Sequence, residues 1–92
     1  MQNWRTKKLK DLMKAILTLK DEKMALNFFR DLCTIDELEE MAQRWEIAQL
    51  LNNGQSYRAI AEKVSVSTTT VARIAQWLEL VEGGYRIALD KI

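Results

Sequence analysis

Side chains able to recognise nucleobases stand close together between Thr68 and Gln76. Three consecutive threonines are followed by Ala72 and Arg73. Threonine hydroxyls can hydrogen-bond to bases or phosphates, threonine methyls can contact a thymine methyl, and arginine can bind guanine or clamp a phosphate. Because threonine is a poor helix former, a run of three is hard to explain on a helix surface that meets only water. We therefore expect this segment to read DNA.

A second polar group stands earlier, at the expected start of another helix. Backbone amides and hydroxyls at a helix N-terminus can hold a phosphate, and Ser56, Tyr57 and Arg58 supply them. Together, the predicted DNA-binding residues are Ser56, Tyr57, Arg58, Ser67, Thr68, Thr69, Thr70, Ala72, Arg73 and Gln76.

Two short helices in a helix-turn-helix, over about residues 56–78, would position these side chains. Ser56 can cap a helix at about 57–64 and Ser67 one at about 68–80, because serine oxygens accept from free amides at a helix start. A small residue is needed where the helices touch, and Ala61 supplies it. The apolar interior of the corner would be Ile60, Val64, Val66, Val71 and Ile74.

The turn between the two helices usually contains glycine, since that position often requires a positive φ. Here the position holds Ser65, at a cost on the order of 1 kcal/mol. A compact three-helix fold without DNA binding would produce the same apolar pattern, so the pattern alone leaves that alternative open.

The rest of the chain also predicts helices, and the fold class is all-α with about six of them. Residues 4–20 carry an amphipathic pattern, and Asp21 and Glu22 favour a second helix start. Thr34 and Glu37 form a capping box for a third helix, which residues 52–54 end. A short helix over 85–92 completes the chain. One face of the third helix would carry Leu38, Met41, Ala42, Trp45, Ala48 and Leu51, and Ile47 and Leu50 widen that face.

Length and composition favour one small domain. With 92 residues and no proline, the chain would bury only about 60% of its unfolded surface, so a dimer is one way to enlarge the core. We divide the domain into dimerisation helices (1–33), a central helix (34–53), the helix-turn-helix (56–78) and a C-terminal helix (82–92).

Composition also argues against several classes of function. One cysteine, Cys33, and no histidine disfavour a disulfide or a transition-metal site. No apolar run approaches the ~20 residues of a membrane span, and the basic N-terminus lacks a signal-peptide core. We expect a cytoplasmic protein with no cofactor. Without histidine, an activated cysteine or a glycine-rich phosphate loop, an enzyme is disfavoured.

Charge is unevenly distributed although the net charge is only +1. Residues 1–33 hold eight Lys and Arg against four Asp and Glu, and residues 54–78 hold three against one. Residues 34–53 hold one against five. Local positive charge is what phosphates require. Whether Lys7, Lys8 and Lys10 contact DNA or only solvate a helix stays open.

From about residue 10 onward the sequence resembles the Trp repressor family, and within it the YerC/YecD-type TrpR-related branch. The capping box matches the family's Thr-Pro-Asp-Glu helix start, and Arg44 lies ten residues after Thr34, as the family's ligand-stacking arginine does. Leu50 and Leu51 match the helix end, and Arg73 falls on the second ligand-contacting arginine.

The resemblance implies an intertwined homodimer that binds double-stranded DNA at an operator and represses transcription. It also implies that the N-terminal helices of the two subunits wrap around each other. The predicted dimer-core residues are Trp4, Leu12, Ile16, Phe28, Phe29 and Trp45.

The effector pocket is where the sequence departs from the family. In tryptophan-responsive members Gly and Ser follow the second arginine at one and four positions, whereas this chain has Ile74 and Trp77. We expect these larger side chains to fill a vestigial pocket beside Arg44 and Arg73, so that free tryptophan is not the effector. Any other small-molecule effector is unknown. Trp45 and Trp77 are interpreted as core residues. Instead of a ligand carboxylate, Arg44 and Arg73 could contact DNA or acids such as Glu40 and Glu46.

The leading hypothesis is a sequence-specific transcriptional regulator. The alternative is a helical adaptor that has lost DNA binding, whose acidic third helix would favour a basic partner. Its acidic residues are Asp36, Glu37, Glu39, Glu40 and Glu46.

Overall fold

Six helices make up the fold, and residues 3–80 and 82–92 of the computed structural model are described. The helices are α1 (Lys7–Ile16), α2 (Glu22–Leu32), α3 (Ile35–Asn52), α4 (Tyr57–Val64), α5 (Thr68–Leu80) and α6 (Gly84–Lys91). No strand occurs within those ranges. The prediction of an all-α fold with about six helices is therefore confirmed. None of the described helices is long and apolar enough to cross a bilayer.

The chain divides into two compact units, Met1–Leu38 and Glu39–Ile92. In the first unit, side-chain caps set the helix starts. The Thr6 Oγ1 atom accepts from the Leu9 amide at 3.1 Å, and an Asp21 carboxylate oxygen accepts from the Met24 amide at 2.8 Å. Asp21 thus opens α2 as predicted, whereas the cap at Thr6 makes α1 shorter than the 4–20 span that the apolar pattern suggested.

The capping box at the start of α3 is confirmed in both directions. The Thr34 amide donates to the Glu37 carboxylate at 2.8 Å, and the Glu37 amide donates to the Thr34 hydroxyl at 3.1 Å. Hydrogen bonds from the Thr34 backbone and side chain favour the charged carboxylate, so they lower the pKa of Glu37 below its usual value. The prediction of a helix start at Thr34 is correct.

The first unit leaves much apolar surface uncovered within a single chain. No residue of α1 or α2 is fully buried. Phe28 and Phe29 pack edge to face, with ring centroids 5.7 Å apart, yet both side chains stay only half-buried. Large apolar side chains of this unit remain exposed at Trp4, Met13, Leu17, Met24, Leu26, Leu32 and Ile35.

The second unit has a hydrophobic core built from α3, α4 and α5. Its buried residues are Ile47, Ala48, Leu50, Ile60, Ala61, Val71 and Ile74. The predicted apolar interior of the helix-turn-helix is confirmed, because Val64 and Val66 pack against this same cluster. On the apolar face of α3, Ala48 is buried within one chain, whereas Met41 and Ala42 are exposed.

Candidate nucleic-acid interface

The turn between α4 and α5 holds the strained residue that the sequence indicated. Ser65 has φ 60° and ψ 47° and is the one non-glycine residue with positive φ among those described. Its amide donates to the Ala61 carbonyl, and the Val66 amide donates to the same oxygen at 3.0 Å. The prediction of positive φ at this turn is confirmed, and these hydrogen bonds hold it in place.

We expect Ser65→Gly to stabilise the protein by about 0.5–1 kcal/mol. A side chain in the left-handed region costs about 1–2 kcal/mol, and the greater freedom of glycine in the unfolded chain offsets about 0.5–1 kcal/mol of that gain. Ser65→Ala keeps the Cβ and serves as the control. Urea denaturation at one protein concentration measures the difference, and a less stable glycine variant would show that the turn is not strained.

Serine caps begin both helices of the unit, as predicted. The Ser56 hydroxyl accepts from the Ala59 amide at 3.1 Å, and the Ser67 hydroxyl accepts from the Thr70 amide at 3.1 Å. Each cap satisfies an amide that has no partner within its own helix. α4 and α5 therefore begin at Tyr57 and Thr68, at the residues that the sequence indicated.

The predicted reading residues of α5 lie on the side of the helix opposite its core contacts. Val71 and Ile74 are buried at 0% and 2% exposure, whereas the exposed side carries Thr68, Thr69, Ala72, Arg73 and Gln76. Thr70 differs from its neighbours. It is half-buried, and its hydroxyl lies 3.1 Å from that of Ser67.

The start of α4 presents the other predicted group to solvent. Ser56, Tyr57 and Arg58 are exposed. The Arg58 Nε atom lies 3.5 Å from a carboxylate oxygen of Glu62 on the next turn, and both side chains are largely exposed. Such an exposed pair contributes little, so Arg58 can exchange its partner for a phosphate at small cost.

The four residues predicted to form a vestigial effector pocket line one cavity of about 370 Å³, so Ile74 and Trp77 line this space and do not fill it as the sequence suggested. Of these, Ile74 is buried, Trp77 is half-buried and Arg44 and Arg73 are exposed. The Arg44 guanidinium carbon lies 5.8 Å from the centre of the Trp77 ring, within the distance of a cation–π contact. The remaining lining residues are Glu40, Gln43, Val66 and Thr70.

Arg44 also forms an ion pair, as the sequence suggested. Its Nη2 atom lies 2.8 Å from a carboxylate oxygen of Glu40. Within this cavity, Arg44 is thus already engaged both by an acidic side chain and by the Trp77 indole. For Arg73, the described residues supply no ion-pair partner, so its guanidinium is available to an anion.

A family model described as Trp repressor protein matches residues 7–92 of the chain. The chain belongs to the Trp repressor family. Its fold and sequence also match individual Trp repressor relatives. The uncharacterized protein YerC of Bacillus subtilis strain 168 is 40% identical over 88 residues, covering 96% of this chain and 85% of YerC.

Two crystal structures of Trp repressor-like proteins have the same fold. A TrpR-like protein from Eubacterium eligens matches with a TM-score of 0.88 and 38% identity, over 95% of this chain and 90% of that one. A candidate Trp repressor from Staphylococcus aureus matches with a TM-score of 0.86 and 33% identity, over 95% and 87%. Trp repressor family membership places the chain among DNA-binding regulators rather than enzymes.

The dimer-core residues that the Trp repressor resemblance implied are not fully buried within one chain. Trp4 is 51% exposed, while Leu12, Ile16, Phe28 and Phe29 are half-buried. Trp45, in the second unit, is partly buried against the core. Burial of these side chains between two subunits stays a prediction.

Sequence reasoning missed a set of contacts that hold α6 in this Trp repressor-like fold. The rings of Trp45 and Tyr85 stack at 6.3 Å with an angle of 8°. An Arg86 nitrogen donates to the Asn52 side-chain oxygen at 2.6 Å, and Arg86 also lies 4.0 Å from Glu79. A contact between α3 and α4 was missed as well: the Gln43 side chain donates to the Val64 carbonyl at 3.4 Å. All of these pairs are distant in sequence or on different helices, so no local pattern could have shown them.

Proposed function

We propose that the chain is a sequence-specific, cytoplasmic transcriptional repressor that binds a near-palindromic operator as a homodimer. The observation that carries this proposal is the exposed side of α5 behind a capped and strained turn. Its core side is buried, while Thr68, Thr69 and Arg73 are exposed. A recognition helix requires this combination, because its N-terminal residues must reach base edges in the major groove.

The start of α4 would position the protein on the DNA backbone. The Tyr57 and Arg58 side chains are exposed beside the N-terminus of α4, whose amides and dipole favour a phosphate. Contacts of this kind fix orientation without reading sequence. Operator affinity should therefore decrease as salt concentration increases.

Dimerisation is supported by the uncovered apolar side chains of the first unit. Leu17 and Leu26 are 83% and 64% exposed in a single chain, and leaving so many large apolar groups in water is unfavourable. A dimer would also place two recognition helices about 34–36 Å apart, one turn of DNA. An operator with two related half-sites follows from that symmetry.

Selection from a random pool of duplex DNA tests the proposal, combined with sedimentation equilibrium of the free protein. We expect a consensus with two inverted half-sites about one helical turn apart and a dimer at micromolar concentration. If the folded protein enriches no sequence, the helical-adaptor hypothesis explains the result better. That alternative is favoured by the exposed carboxylates of α3 at Asp36, Glu39 and Glu46.

We also propose that the repressor does not respond to tryptophan. Ile74 and Trp77 replace the small residues of tryptophan-responsive relatives, and the Trp77 indole already lies over the Arg44 guanidinium. Arg44 corresponds to the family's ligand-stacking arginine, so its stacking surface is already engaged by an indole of the chain itself. Calorimetry with L-tryptophan should give no heat of binding at micromolar ligand, and a micromolar Kd would contradict this part of the proposal.

A further inference from the structure

We infer that Thr68, Thr69 and Ala72 form a methyl patch that reads the 5-methyl groups of thymines, whereas the neighbouring Thr70 does not contact bases. This inference rests on the proposed function, since it names the DNA feature that the reading side of α5 selects. Three threonines with the same chemistry thus have two different roles, and their burial and hydrogen bonds distinguish them.

Thr70 is committed to the protein itself. Its amide donates to the Ser67 hydroxyl at 3.1 Å, and the two hydroxyl oxygens lie 3.1 Å apart. The side chain is half-buried and lines the cavity shared with Arg44 and Trp77. Thr70 thus completes the cap of α5, and its hydroxyl is already engaged by Ser67.

Thr68 and Thr69 are in the opposite situation. Both are exposed, and no hydrogen bond within the described part of the chain engages their hydroxyls. Ala72 follows at i+4 from Thr68 and i+3 from Thr69, spacings at which side chains are neighbours on a helix, with Cβ atoms about 5–6 Å apart. Three methyl-sized groups therefore lie side by side in the first two turns of the helix, near the N-terminal end that contacts base edges in a major groove.

The polar groups next to the methyl patch favour A·T pairs in the same half-site. Gln76 lies one turn beyond Ala72 on the exposed side, and a glutamine amide can bond to adenine N6 and N7 together. Residues 68–76 contain no carboxylate, the group that best accepts from the cytosine amino group. Arg73 is the one guanine-reading group in this stretch. Chemically, this surface suits thymine and adenine with a single guanine.

Replacing thymine by deoxyuridine tests the inference, since this change removes only the 5-methyl group and keeps the base pair. In duplexes of the selected operator, each thymine is replaced in turn and the Kd is measured at fixed salt. Removing one contacted methyl should weaken binding about fourfold, because this factor corresponds to the transfer free energy of one buried CH₂ group. We expect this loss at one or two thymines of each half-site.

Serine variants assign the contacts, because serine keeps the hydroxyl and lacks the methyl. Thr69→Ser should bind the thymine duplex as weakly as the wild type binds a duplex with deoxyuridine at the contacted thymine of both half-sites, with no further loss when both changes are combined. Thr68→Ser should behave in the same way at a neighbouring thymine. Thr70→Ser is the matched control, since it retains the hydroxyl that meets Ser67 and should respond to deoxyuridine like the wild type.

Two results would overturn the inference in different ways. If the selected operator binds equally well with deoxyuridine at every thymine, the methyl patch is wrong while the proposed DNA binding stands. If no operator can be selected with folded protein, the proposed function fails and the inference fails with it. If Thr70→Ser abolished the effect of deoxyuridine at a thymine, and Thr68→Ser and Thr69→Ser did not, the division of roles would be wrong.

Discussion

Arg73→Ala is expected to weaken operator binding by about 2–6 kcal/mol in a dimer, because each copy of a well-placed bidentate contact to guanine contributes about 1–3 kcal/mol. Arg73 is exposed on the reading side of α5 and has no acidic partner among the described residues, so it is free to bind DNA. Its removal leaves the core untouched. Mobility-shift titration of the selected operator at fixed salt measures the loss.

The pattern of that loss distinguishes the two roles open to Arg73. If it reads guanine, affinity decreases for the operator and discrimination relaxes at one position of each half-site. If it clamps a phosphate, affinity decreases about equally for all sequences and the salt dependence becomes shallower. Lys91→Ala is the control, since it removes one exposed charge at the end of α6. An Arg73→Ala variant that binds like this control would place the reading surface elsewhere.

Ile60→Ala is expected to destabilise the protein by about 2–5 kcal/mol, through the lost apolar contacts and the cavity that remains. Ile60 is fully buried where α4 meets the core of the second unit. A small domain has limited stability, so this loss would leave a large unfolded fraction. Urea denaturation at one protein concentration gives the free energy of unfolding.

Two further variants calibrate the effect of Ile60→Ala. Ile60→Val removes a single methylene and should cost about 0.5–1.5 kcal/mol. Ile87→Ala deletes the same atoms from a side chain of α6 that is 58% exposed and should cost much less. Equal losses at positions 60 and 87 would mean that the helix-turn-helix does not depend on the packed corner described above.

Much of the fold could be predicted from the sequence because short-range chemistry determines it. Three helix starts are capped by hydrogen bonds between residues only three positions apart. These caps are made by Ser56, by Ser67 and by the pair Thr34 and Glu37. The bounds of α4 and α5 agree with the predicted spans for that reason. The positive φ at Ser65 was also predictable, since the two-helix corner requires it whatever residue is present.

Other features could not be predicted, because they depend on residues far apart in the chain. α3 has apolar side chains around much of its circumference, so its sequence could not show that Ile47 would be buried completely and Met41 left exposed. The stack of Trp45 on Tyr85 depends on where α6 returns to the core. Similarly, the residue types alone could not separate Thr70 from the other two threonines.

Amide chemical shifts of isotope-labelled protein, titrated with the selected operator, test most directly whether α5 reads DNA. We expect the largest changes at Thr68, Thr69, Ala72 and Arg73, with smaller ones at the start of α4. Unrelated DNA at the same salt should shift α4 but leave the α5 residues little changed. Changes confined to the acidic surface of α3, with Thr68–Gln76 unaffected by operator, would show that α5 does not read DNA.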